Sequence, residues 1–496
     1  MRITSDRWGR IPSYLLGSLL HRIATLILTG LTVCLSIGDR NCEANPRNVS
    51  VPNIILILVD DMGYGDIGPF GSTQNKTPEL DRLAKEGMRL TNFYVSSTAC
   101  TPSRSALMTG CYADRVGMDG RVCFPADARG LNPDEITIAE VLKTKGYATG
   151  CFGKWHLGDQ PQFLPLKQGF DEYLGIPFSN DMWPHLARYN LPPLPFVKGN
   201  QAVAHIPDGN SQALLCDVVT DAAVDFINRH RNEPFFVYVP HSYIHGPRFT
   251  TRQRAEKAEG NVTRAQIEEV DASVGQILKT LKEVGLSENT LVMFTSDNGG
   301  SGGTSMGPLR GGKGGPKYEG HMRVPTVAWW PGRIPAGSVT HEIAATIDIL
   351  PTLARLAGAE VPQDRIIDGK DISDLLFAKA GTESPHEVLF YEIDGVRRNQ
   401  WKLVRLPKGR FELYDLDADI GERNDLSKKF PDRVAELKSR LDAHAQDLQK
   451  HRRPAAFVEN PKPLLTSVEG VPTLVEYLGL TGVDVTGVTQ PSKKKQ

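Results

Sequence analysis

Four short apolar segments separated by amphipathic patterns constrain the fold of this chain more than any other feature. The segments are rich in β-branched and aromatic residues, which predicts buried strands at residues 53–59, 147–152, 235–239 and 290–295. Apolar spacing typical of helices occurs at residues 77–87, 136–145, 214–230 and 264–284. Strands that alternate with helices indicate an α/β fold, with an open, mostly parallel sheet flanked by helices.

The pattern changes after residue 385. Short apolar segments at 388–393, 401–406 and 411–416 precede a helical pattern at 431–449, which predicts a small antiparallel sheet with one helix. We therefore expect a main domain over residues 51–385, a C-terminal α+β subdomain over 386–450 and an extension over 451–496. Within the main domain, the glycine-rich residues 298–320 predict a long functional loop, because irregular segments of that length are uncommon.

The N-terminus has the pattern of a secretory signal. Several basic residues precede an apolar run at 23–37, which is too short and too rich in threonine and glycine for a comfortable membrane span. We expect a signal peptide over residues 1–44 and export to a periplasmic, secreted or lysosome-like location; an uncleaved N-terminal anchor is the alternative. The chain carries 57 basic and 58 acidic residues, and this near-zero balance argues against nucleic acid as a partner.

Five cysteines lie beyond the predicted signal: Cys100, Cys111, Cys123, Cys151 and Cys216. Cys100 opens the segment "CTPSR" at a predicted helix start, where Pro102 suits the first turn and Gly110 is a plausible stop. A helix N-terminus favours a thiolate or an anion, although a small buried residue is the structural alternative. If Cys100 is chemically special, the other four could form up to two disulfides in an exported protein, with the pairing open.

Chemically active side chains follow each of the four predicted strands. Ligands bind beyond the carboxyl ends of the strands in open α/β sheets, so these side chains are expected to meet. In strand order they are Asp60 and Asp61, then Lys154 and His156, then His241 and His245, and finally Asp297 and Asn298. One such strand end would mean little, because Asp is an ordinary turn residue, but four together predict a site.

The residue types indicate what this site would bind. Asp60, Asp61, Asp297 and Asn298 offer only oxygen, which suits a hard divalent ion such as Ca²⁺ or Mg²⁺. Nearby cations and histidines would suit a small oxyanion, either a sulfate or a phosphate ester, because a histidine can protonate the departing alcohol. The cations are Arg104, Lys154 and Lys313, and the histidines are His156 and His245.

Together these segments resemble the formylglycine-dependent (type I) sulfatase family. "CTPSR" resembles the family's C-x-P-S-R signature, and "GYATGCFGKWHLG" resembles its second signature. "VDDMGYGD", "TSDNGG" and "LRGGKGGPKYEG" occur in the family's order, and "ELYDLDADIGERNDL" resembles its C-terminal subdomain. "YLGIPFSND" further resembles the branch that holds arylsulfatase A and the galactosamine-6-sulfatases. The resemblance spans residues 51–449 and implies an alkaline-phosphatase-like fold and sulfuric ester hydrolysis.

The resemblance also implies a modified nucleophile and a metal. In that family the signature cysteine is oxidised to formylglycine, whose hydrate attacks sulfur, so Cys100 is the expected modified residue. A formylglycine-generating maturation enzyme is then an expected partner. The implied Ca²⁺ ligands, with Mg²⁺ as the alternative ion, are Asp60, Asp61, Asp297, Asn298 and the modified Cys100.

The remaining implied roles concern the sulfate group. Arg104 would stabilise the hydrate, and His156 would assist hydration and collapse. Lys154, Ser179, His245 and Lys313 would contact sulfate, and His245 would face the leaving group. His241 has no firm family role and is expected behind the site.

Two departures from the family pattern affect one of these roles. The segment between Lys313 and "YEG" is one residue longer than in many relatives and brings an extra lysine, Lys317, while His321 replaces a usual glycine. Lys313 is the expected sulfate ligand, and Lys317 is the alternative.

The expected substrate is a sulfate ester of an aryl compound or, in nature, a small or oligomeric carbohydrate. A phosphatase or phosphonate-ester hydrolase on the same fold is one alternative, and an inactive anion-binding homologue is another. The oligomeric state cannot be read from the sequence.

Overall fold

The structure is a computed structural model that describes residues 51–186 and 189–488. The predicted signal peptide over residues 1–44 lies outside the described residues. The strands in chain order are β1 Asn53–Val59, β2 Met88–Leu90, β3 Phe93–Tyr94, β4 Arg129–Gly130, β5 Ala148–Lys154, β6 Glu172–Ile176, β7 Pro195–Lys198, β8 Gln201–His205, β9 Phe235–Pro240, β10 Arg248–Thr251, β11 Thr290–Ser296, β12 Thr326–Trp329, β13 Ser338–Thr340, β14 Ala344–Ala345, β15 Leu389–Tyr391, β16 Gly395–Arg398, β17 Trp401–Arg405, β18 Phe411–Asp415, β19 Ala456–Phe457 and β20 Val485–Val488. The α-helices are α1 Pro78–Glu86, α2 Cys100–Thr109, α3 Ile138–Lys143, α4 Gly209–Gln212, α5 Leu215–Arg229, α6 Arg252–Lys257, α7 Val262–Glu283, α8 Glu319–Met322, α9 Ile349–Ala357, α10 Ser373–Leu376, α11 Pro431–Lys450 and α12 Leu474–Tyr477.

A ten-stranded sheet forms the centre of the protein, in the order β13-β2-β12-β11-β1-β9-β5-β6-β7-β8. The four strands predicted from the sequence are β11, β1, β9 and β5, and they lie side by side in parallel. Antiparallel pairs extend the sheet on both sides. The expected mostly parallel α/β sheet is confirmed, and its carboxyl edge brings the four predicted strand ends together.

Alternation along β1 explains why helices cover both faces of the sheet. Ile54, Leu56 and Leu58 enter one buried cluster, which also contains residues of α2, α3 and α9. Ile55, Ile57 and Val59 enter a second cluster, with residues of α1, α5 and α7. Successive side chains of a strand point to opposite faces, so a strand that is apolar throughout requires a covering layer on each side.

The small C-terminal sheet has four antiparallel strands, in the order β15-β16-β17-β18. Three correspond to the predicted segments, and the fourth, Gly395–Arg398, was not predicted because it is short and contains two arginines. Leu437 and Leu441 of α11 pack on one face of this sheet, as the predicted helix requires. The boundary at residue 385 stays a prediction.

The C-terminal extension has no periodic pattern in the sequence. In the structure it forms two short strands that pair with strands from earlier in the chain. Its strand β19 pairs with β4, and its strand β20 pairs with β10. The predicted glycine-rich loop is irregular after β11 until α8 begins at Glu319. None of the helices within the described residues is both long and apolar enough to cross a membrane.

The suggestion of up to two disulfides is wrong for the described chain, because all five cysteines there are unpaired and buried. Three of these thiols contact separate backbone carbonyl groups. Cys111 Sγ lies 3.3 Å from the carbonyl oxygen of Ile366, Cys123 Sγ lies 3.6 Å from that of Arg129, and Cys216 Sγ lies 3.7 Å from that of Glu269.

Candidate active site

Cys100 is the first residue of α2, and the chain enters the helix from an extended conformation at Ala99. The helix ends at Gly110, whose φ of 67° is the left-handed conformation that glycine adopts without strain. Cys100 Sγ lies 3.5 Å from Asp60 Oδ1 and 3.3 Å from Lys313 Nζ. Burial, with the charge of Asp60, raises the pKa of the Cys100 thiol to about 12. Desolvation at this buried position therefore favours the neutral thiol, whereas a helix N-terminus by itself favours the thiolate.

Parallel pairing of β1 and β11 brings the predicted oxygen ligands together. Val59 pairs with Ser296, so Asp60 and Asp61 leave the sheet beside Asp297 and Asn298. The Asp61 amide donates to Asp297 Oδ1 at 3.3 Å, and Asn298 Nδ2 donates to Asp61 Oδ1 at 2.8 Å. Oxygen atoms from two adjacent strand ends therefore form one buried cluster.

Three cations surround these carboxylates. Arg104 Nε donates to Asp297 Oδ2 at 2.9 Å, and its Nη1 donates to the carbonyl oxygen of Lys154 at 2.7 Å. Lys154 Nζ donates to Asp60 Oδ2. Lys313 Nζ lies 2.7 Å from Asp61 Oδ1, and its side chain is 24% exposed. We call the three carboxylates and these three cations the site cluster.

The cations determine the protonation of the carboxylates. Burial alone would raise the pKa of Asp60, but Lys154, His245 and Arg104 hold it well below its ordinary value. Burial is likewise overcome at Asp61, where Lys313 and His245 lower the pKa of the carboxyl. At Asp297, burial and repulsion from Asp60 raise the pKa despite Arg104. Asp60 and Asp61 are therefore ionised at neutral pH.

His245 faces the site cluster through one ring nitrogen. Its Nδ1 lies 2.6 Å from the carbonyl oxygen of Gly246 and 3.1 Å from Asn180 Oδ1. Both partners accept hydrogen bonds, which assigns a proton to Nδ1. Nε2 then lies 3.8 Å from Asp61 Oδ2 and is the nitrogen able to exchange a proton. Ser179 Oγ lies 3.2 Å from Lys154 Nζ and 3.5 Å from His245 Nδ1.

His156 and Asp61 both adopt left-handed backbone conformations, with φ of 66° and 65°. Such conformations are uncommon for residues other than glycine and tend to occur at functional sites. His156 Nε2 donates to the carbonyl oxygen of Cys123 at 3.0 Å, which leaves the buried Nδ1 without a partner. Burial, helped by Lys154, holds the pKa of His156 well below its ordinary value, so the ring is a neutral acceptor.

The two candidate lysines point to different partners. Lys313 belongs to the site cluster, whereas Lys317 Nζ lies 2.5 Å from Glu392 Oε2 and 3.3 Å from Thr98 Oγ1. His321 is buried, and burial lowers its pKa to about 4. His241 Nε2 lies 3.2 Å from Ser273 Oγ of α7, away from the cluster.

Several of these side chains could hold a metal ion together. Ligand atoms of Asp60, Asp61, Cys100 and His245 all lie within 4.8 Å of one another. Asn298 Oδ1 is buried and has no hydrogen-bond partner. Buried oxygen atoms seldom stay unpartnered, and carboxylate and amide oxygens are what Ca²⁺ and Mg²⁺ prefer.

Asn180 is a contact of His245 that the motif analysis did not select, although it follows Ser179 directly. Besides its contact with the ring, it donates to Gln212 Oε1 at 3.0 Å and to the carbonyl oxygen of Pro247 at 3.2 Å. Gln212 Nε2 returns a hydrogen bond to the carbonyl oxygen of Asn180 at 2.9 Å. The "FSND" segment could have drawn attention to Asn180. Its contact with His245 could not be predicted, because the two residues are far apart in the sequence.

Comparison with known proteins identifies the family to which this chain is similar. The Sulfatase family model matches residues 52–359, and the model described as N-sulphoglucosamine sulphohydrolase, C-terminal, matches residues 316–451. Human arylsulfatase A is 41% identical over 366 residues, which cover 68% of this chain and 70% of that protein. N-acetylgalactosamine-6-sulfatase of Canis lupus familiaris is 38% identical over 368 residues, 69% of each chain.

A solved structure has a similar fold. The crystal structure of Ps i-CgsB in complex with k-i-k-neocarrahexaose aligns with a TM-score of 0.72 and 29% identity, over 87% of this chain and 98% of that chain. The fold and the relatives of this chain are those of an α/β enzyme that hydrolyses sulfate esters. The chain belongs to the sulfatase family, within the branch of arylsulfatase A and N-acetylgalactosamine-6-sulfatase.

Proposed function

We propose that this sulfatase removes sulfate from carbohydrate sulfate esters through a formylglycine made from Cys100. The observation that carries the proposal is the position of Cys100: its Sγ lies between Asp60 Oδ1 at 3.5 Å and Lys313 Nζ at 3.3 Å. A neutral, buried thiol is a poor nucleophile. The aldehyde made from it can add water and present a hydroxyl at the same position.

The proposed reaction has two steps. One hydroxyl of the hydrate loses its proton to Asp60, whose Oδ1 lies 3.5 Å from Cys100 Sγ, and its oxygen forms a bond to sulfur. The bond from sulfur to the ester oxygen breaks as the new bond forms, and the leaving alkoxide takes a proton from His245 Nε2. The second hydroxyl then loses its proton to His156 Nδ1. The aldehyde C=O bond re-forms as the bond from the same carbon to the sulfated oxygen breaks, and sulfate leaves. A neutral His156 with a free Nδ1 suits this acceptance of a proton.

We assign the remaining residues by their contacts. Lys154, Ser179, His245 and Lys313 bind the sulfate oxygens, and Arg104 stabilises the hydrate through its position between Asp297 and Lys154. Asp60, Asp61, Asp297, Asn298 and the modified Cys100 would hold Ca²⁺, or Mg²⁺ as the alternative. In support, ligand atoms of Asp60, Asp61 and Cys100 lie within 4.8 Å of one another, and Asn298 Oδ1 has no hydrogen-bond partner. Such an ion supplies positive charge that stabilises developing negative charge on oxygen.

Two features support a carbohydrate substrate. One relative is named for N-acetylgalactosamine 6-sulfate, and the similar crystal structure contains an oligosaccharide. We further propose export through the N-terminal signal and oxidation of Cys100 by a maturation enzyme.

The test combines mass spectrometry with a desulfation screen. Peptide mass spectra of active protein should show formylglycine at position 100, and Cys100→Ala should abolish turnover of sulfated sugars. Matched phosphate esters should react far more slowly. Full activity with an unmodified thiol would rule out the mechanism, and faster hydrolysis of the phosphate esters would indicate a phosphatase.

A further inference from the structure

Arg248, the first residue of β10, connects two segments that approach the site from different parts of the chain. Its guanidinium group donates three hydrogen bonds. Nε donates to the carbonyl oxygen of Ile244 at 2.7 Å, Nη1 to that of Gly302 at 2.7 Å, and Nη2 to Ser301 Oγ at 3.1 Å. The planar fork of arginine suits such a fixed set of acceptors, which a lysine ammonium cannot reach together.

These acceptors lie next to two residues of the site. Ile244 directly precedes His245. Ser301 and Gly302 follow Gly300, whose carbonyl oxygen accepts a hydrogen bond from the Lys313 amide at 2.7 Å. Arg248 therefore links the backbone that carries His245 to the glycine-rich loop that carries Lys313.

The C-terminal extension holds Arg248 from the other side. Strand β20 pairs antiparallel with β10, with Arg248 opposite Val488 and Phe249 opposite Gly487. A Cβ atom at position 487 would lie 2.1 Å from Phe249 Cδ1 and 2.6 Å from the carbonyl oxygen of Arg248, so the pairing requires glycine there. This strand lies beyond residue 451, where the match to the second family model ends.

We propose that Arg248, held by β20, is a positioning residue that sets the distance between His245 and Lys313. The proposal rests on the proposed function, because it takes these two residues as the ones that contact the sulfate ester. Arg248 itself contacts no reacting atom. It acts through the Ile244 carbonyl and the loop backbone.

The first test is Arg248→Lys, which keeps the positive charge but cannot make the three hydrogen bonds to Ile244, Ser301 and Gly302 together. A displacement of about 1 Å in an active site costs on the order of 100-fold in rate, so we expect kcat/KM to fall about 10- to 100-fold. The inhibition constant of inorganic sulfate should rise, because Lys313 moves. The loss should be larger for a sugar sulfate than for nitrophenyl sulfate, because His245 moves as well.

Arg252→Lys is the matched control, because Arg252 also contacts the extension, but its side chain pairs with Asp484 at 2.9 Å and makes no bridge to the site loops of the described chain. We expect its kcat/KM to stay within about twofold of wild type, as is usual for exposed ion pairs. Equal kinetics for Arg248→Lys and Arg252→Lys, on both substrates and in sulfate inhibition, would overturn the proposal.

A second pair of variants tests the contribution of β20 without changing Arg248. Gly487→Val introduces the clash with Phe249, whereas Gly482→Val introduces a side chain into open space in the same segment. We expect the sulfate inhibition constant to rise in Gly487→Val and to stay unchanged in Gly482→Val. Both variants are to be compared below their melting temperatures, with formylglycine at position 100 verified by mass spectrometry. If both variants retain the wild-type inhibition constant for sulfate, β20 does not position Arg248. A failure of the proposed function would give a different result, namely activity in protein whose Cys100 is unmodified.

Discussion

The site cluster and a second buried charged cluster, between the small sheet and α8, are built from the same kinds of residue. We call the second one the junction cluster, and it consists of Glu319, Lys402 and Glu422. Lys402 Nζ lies 2.8 Å from Glu319 Oε1 and 3.0 Å from Glu422 Oε1, and all three side chains are fully buried. The ring of Tyr391 covers Lys402 at 4.4 Å.

The difference between the two clusters lies in what each leaves open. In the junction cluster one lysine pairs with two carboxylates. Glu422 Oε1 there also lacks a hydrogen-bond partner, but no side chain of this cluster reaches solvent. The site cluster borders two unpartnered buried acceptors, Asn298 Oδ1 and His156 Nδ1, and Lys313 reaches solvent. Buried charge alone therefore does not mark an active site. Open ligand atoms together with access from solvent do.

The largest effect should come from removing one carboxylate charge of the site cluster. Asp297→Asn keeps the shape and the oxygen facing Arg104, but it weakens the oxygen set for a divalent ion. We expect bound calcium, measured by elemental analysis, and turnover to be lost together. Asp66→Asn is the control, because Asp66 is equally buried but accepts from the amides of Gly63 and Ser305. Full metal content in Asp297→Asn would contradict the assignment.

His245→Ala should show an effect that depends on the leaving group. A general acid contributes typically about 10²–10⁴-fold by protonating a group that leaves badly on its own. Sugar sulfates should therefore lose far more activity than nitrophenyl sulfate, whose phenolate leaves without a proton. His241→Ala, in the same loop but facing Ser273, should show no such dependence. An equal loss of kcat/KM across a series of leaving groups would make His245 a binding residue only.

Substitution of the two lysines of the glycine-rich loop should reduce kcat by different amounts. Loss of one group that stabilises an oxyanion costs about 10²–10³-fold in rate, which is the fall in kcat we expect for Lys313→Ala. Lys317→Ala should cost less, because Lys317 pairs with Glu392 rather than with the site cluster. The reverse ranking would show that the longer segment moves Lys317 into the sulfate position.

A change in the junction cluster should lower the free energy of unfolding and leave turnover unchanged. Lys402→Met removes the cation that Glu319 and Glu422 share and leaves Glu319 paired with Arg323 at 3.4 Å. Breaking a buried pair costs about 3–5 kcal/mol. Urea unfolding should show this loss, while kcat of the folded fraction stays within about twofold of wild type. Lys408→Met, at an exposed lysine in the turn between β17 and β18, should change neither quantity. A loss of kcat without a loss of stability would place the junction cluster in the mechanism.

The smallest effect concerns pH. Burial, with repulsion from Glu319, raises the pKa of Glu422 to about 7 from an ordinary 4.5, although Lys402 opposes the shift. The folded state thus holds this proton more tightly than the unfolded state, so its contribution to stability is lost as pH rises from about 4.5 to about 7. Compared with wild type, Glu422→Gln should gain about 1–3 kcal/mol of unfolding free energy between pH 5 and pH 8. No change across that range would contradict the shift.

The sequence predicts the central sheet and most of the site cluster well. Strands β1 and β11 are apolar on both faces, so their ends at Asp60 and Asp297 could be located without a structure. Short strands such as Gly395–Arg398 carry too little apolar pattern to be recognised. The choice between Lys313 and Lys317 was open because spacing along an irregular loop does not give side-chain direction.

Other features depend on contacts between distant parts of the chain. The left-handed conformations of Asp61 and His156 are maintained by surrounding structure and have no local sequence signal. The contact between Asn180 and His245 is of the same kind. The neutral state of Cys100 follows from its burial, which a helix-start motif does not report.

The pairing of β20 with β10 also sets an order of events during biosynthesis. Arg252 and Asp484, which join the two segments, are 232 positions apart, so most of the chain is translated before β10 finds its partner. Until then β10 has an open edge, and contacts of such long range form slowly. A ribosome-bound chain that ends before residue 485 is therefore expected to have reduced activity, and full enzyme function should appear only after the last described strand emerges.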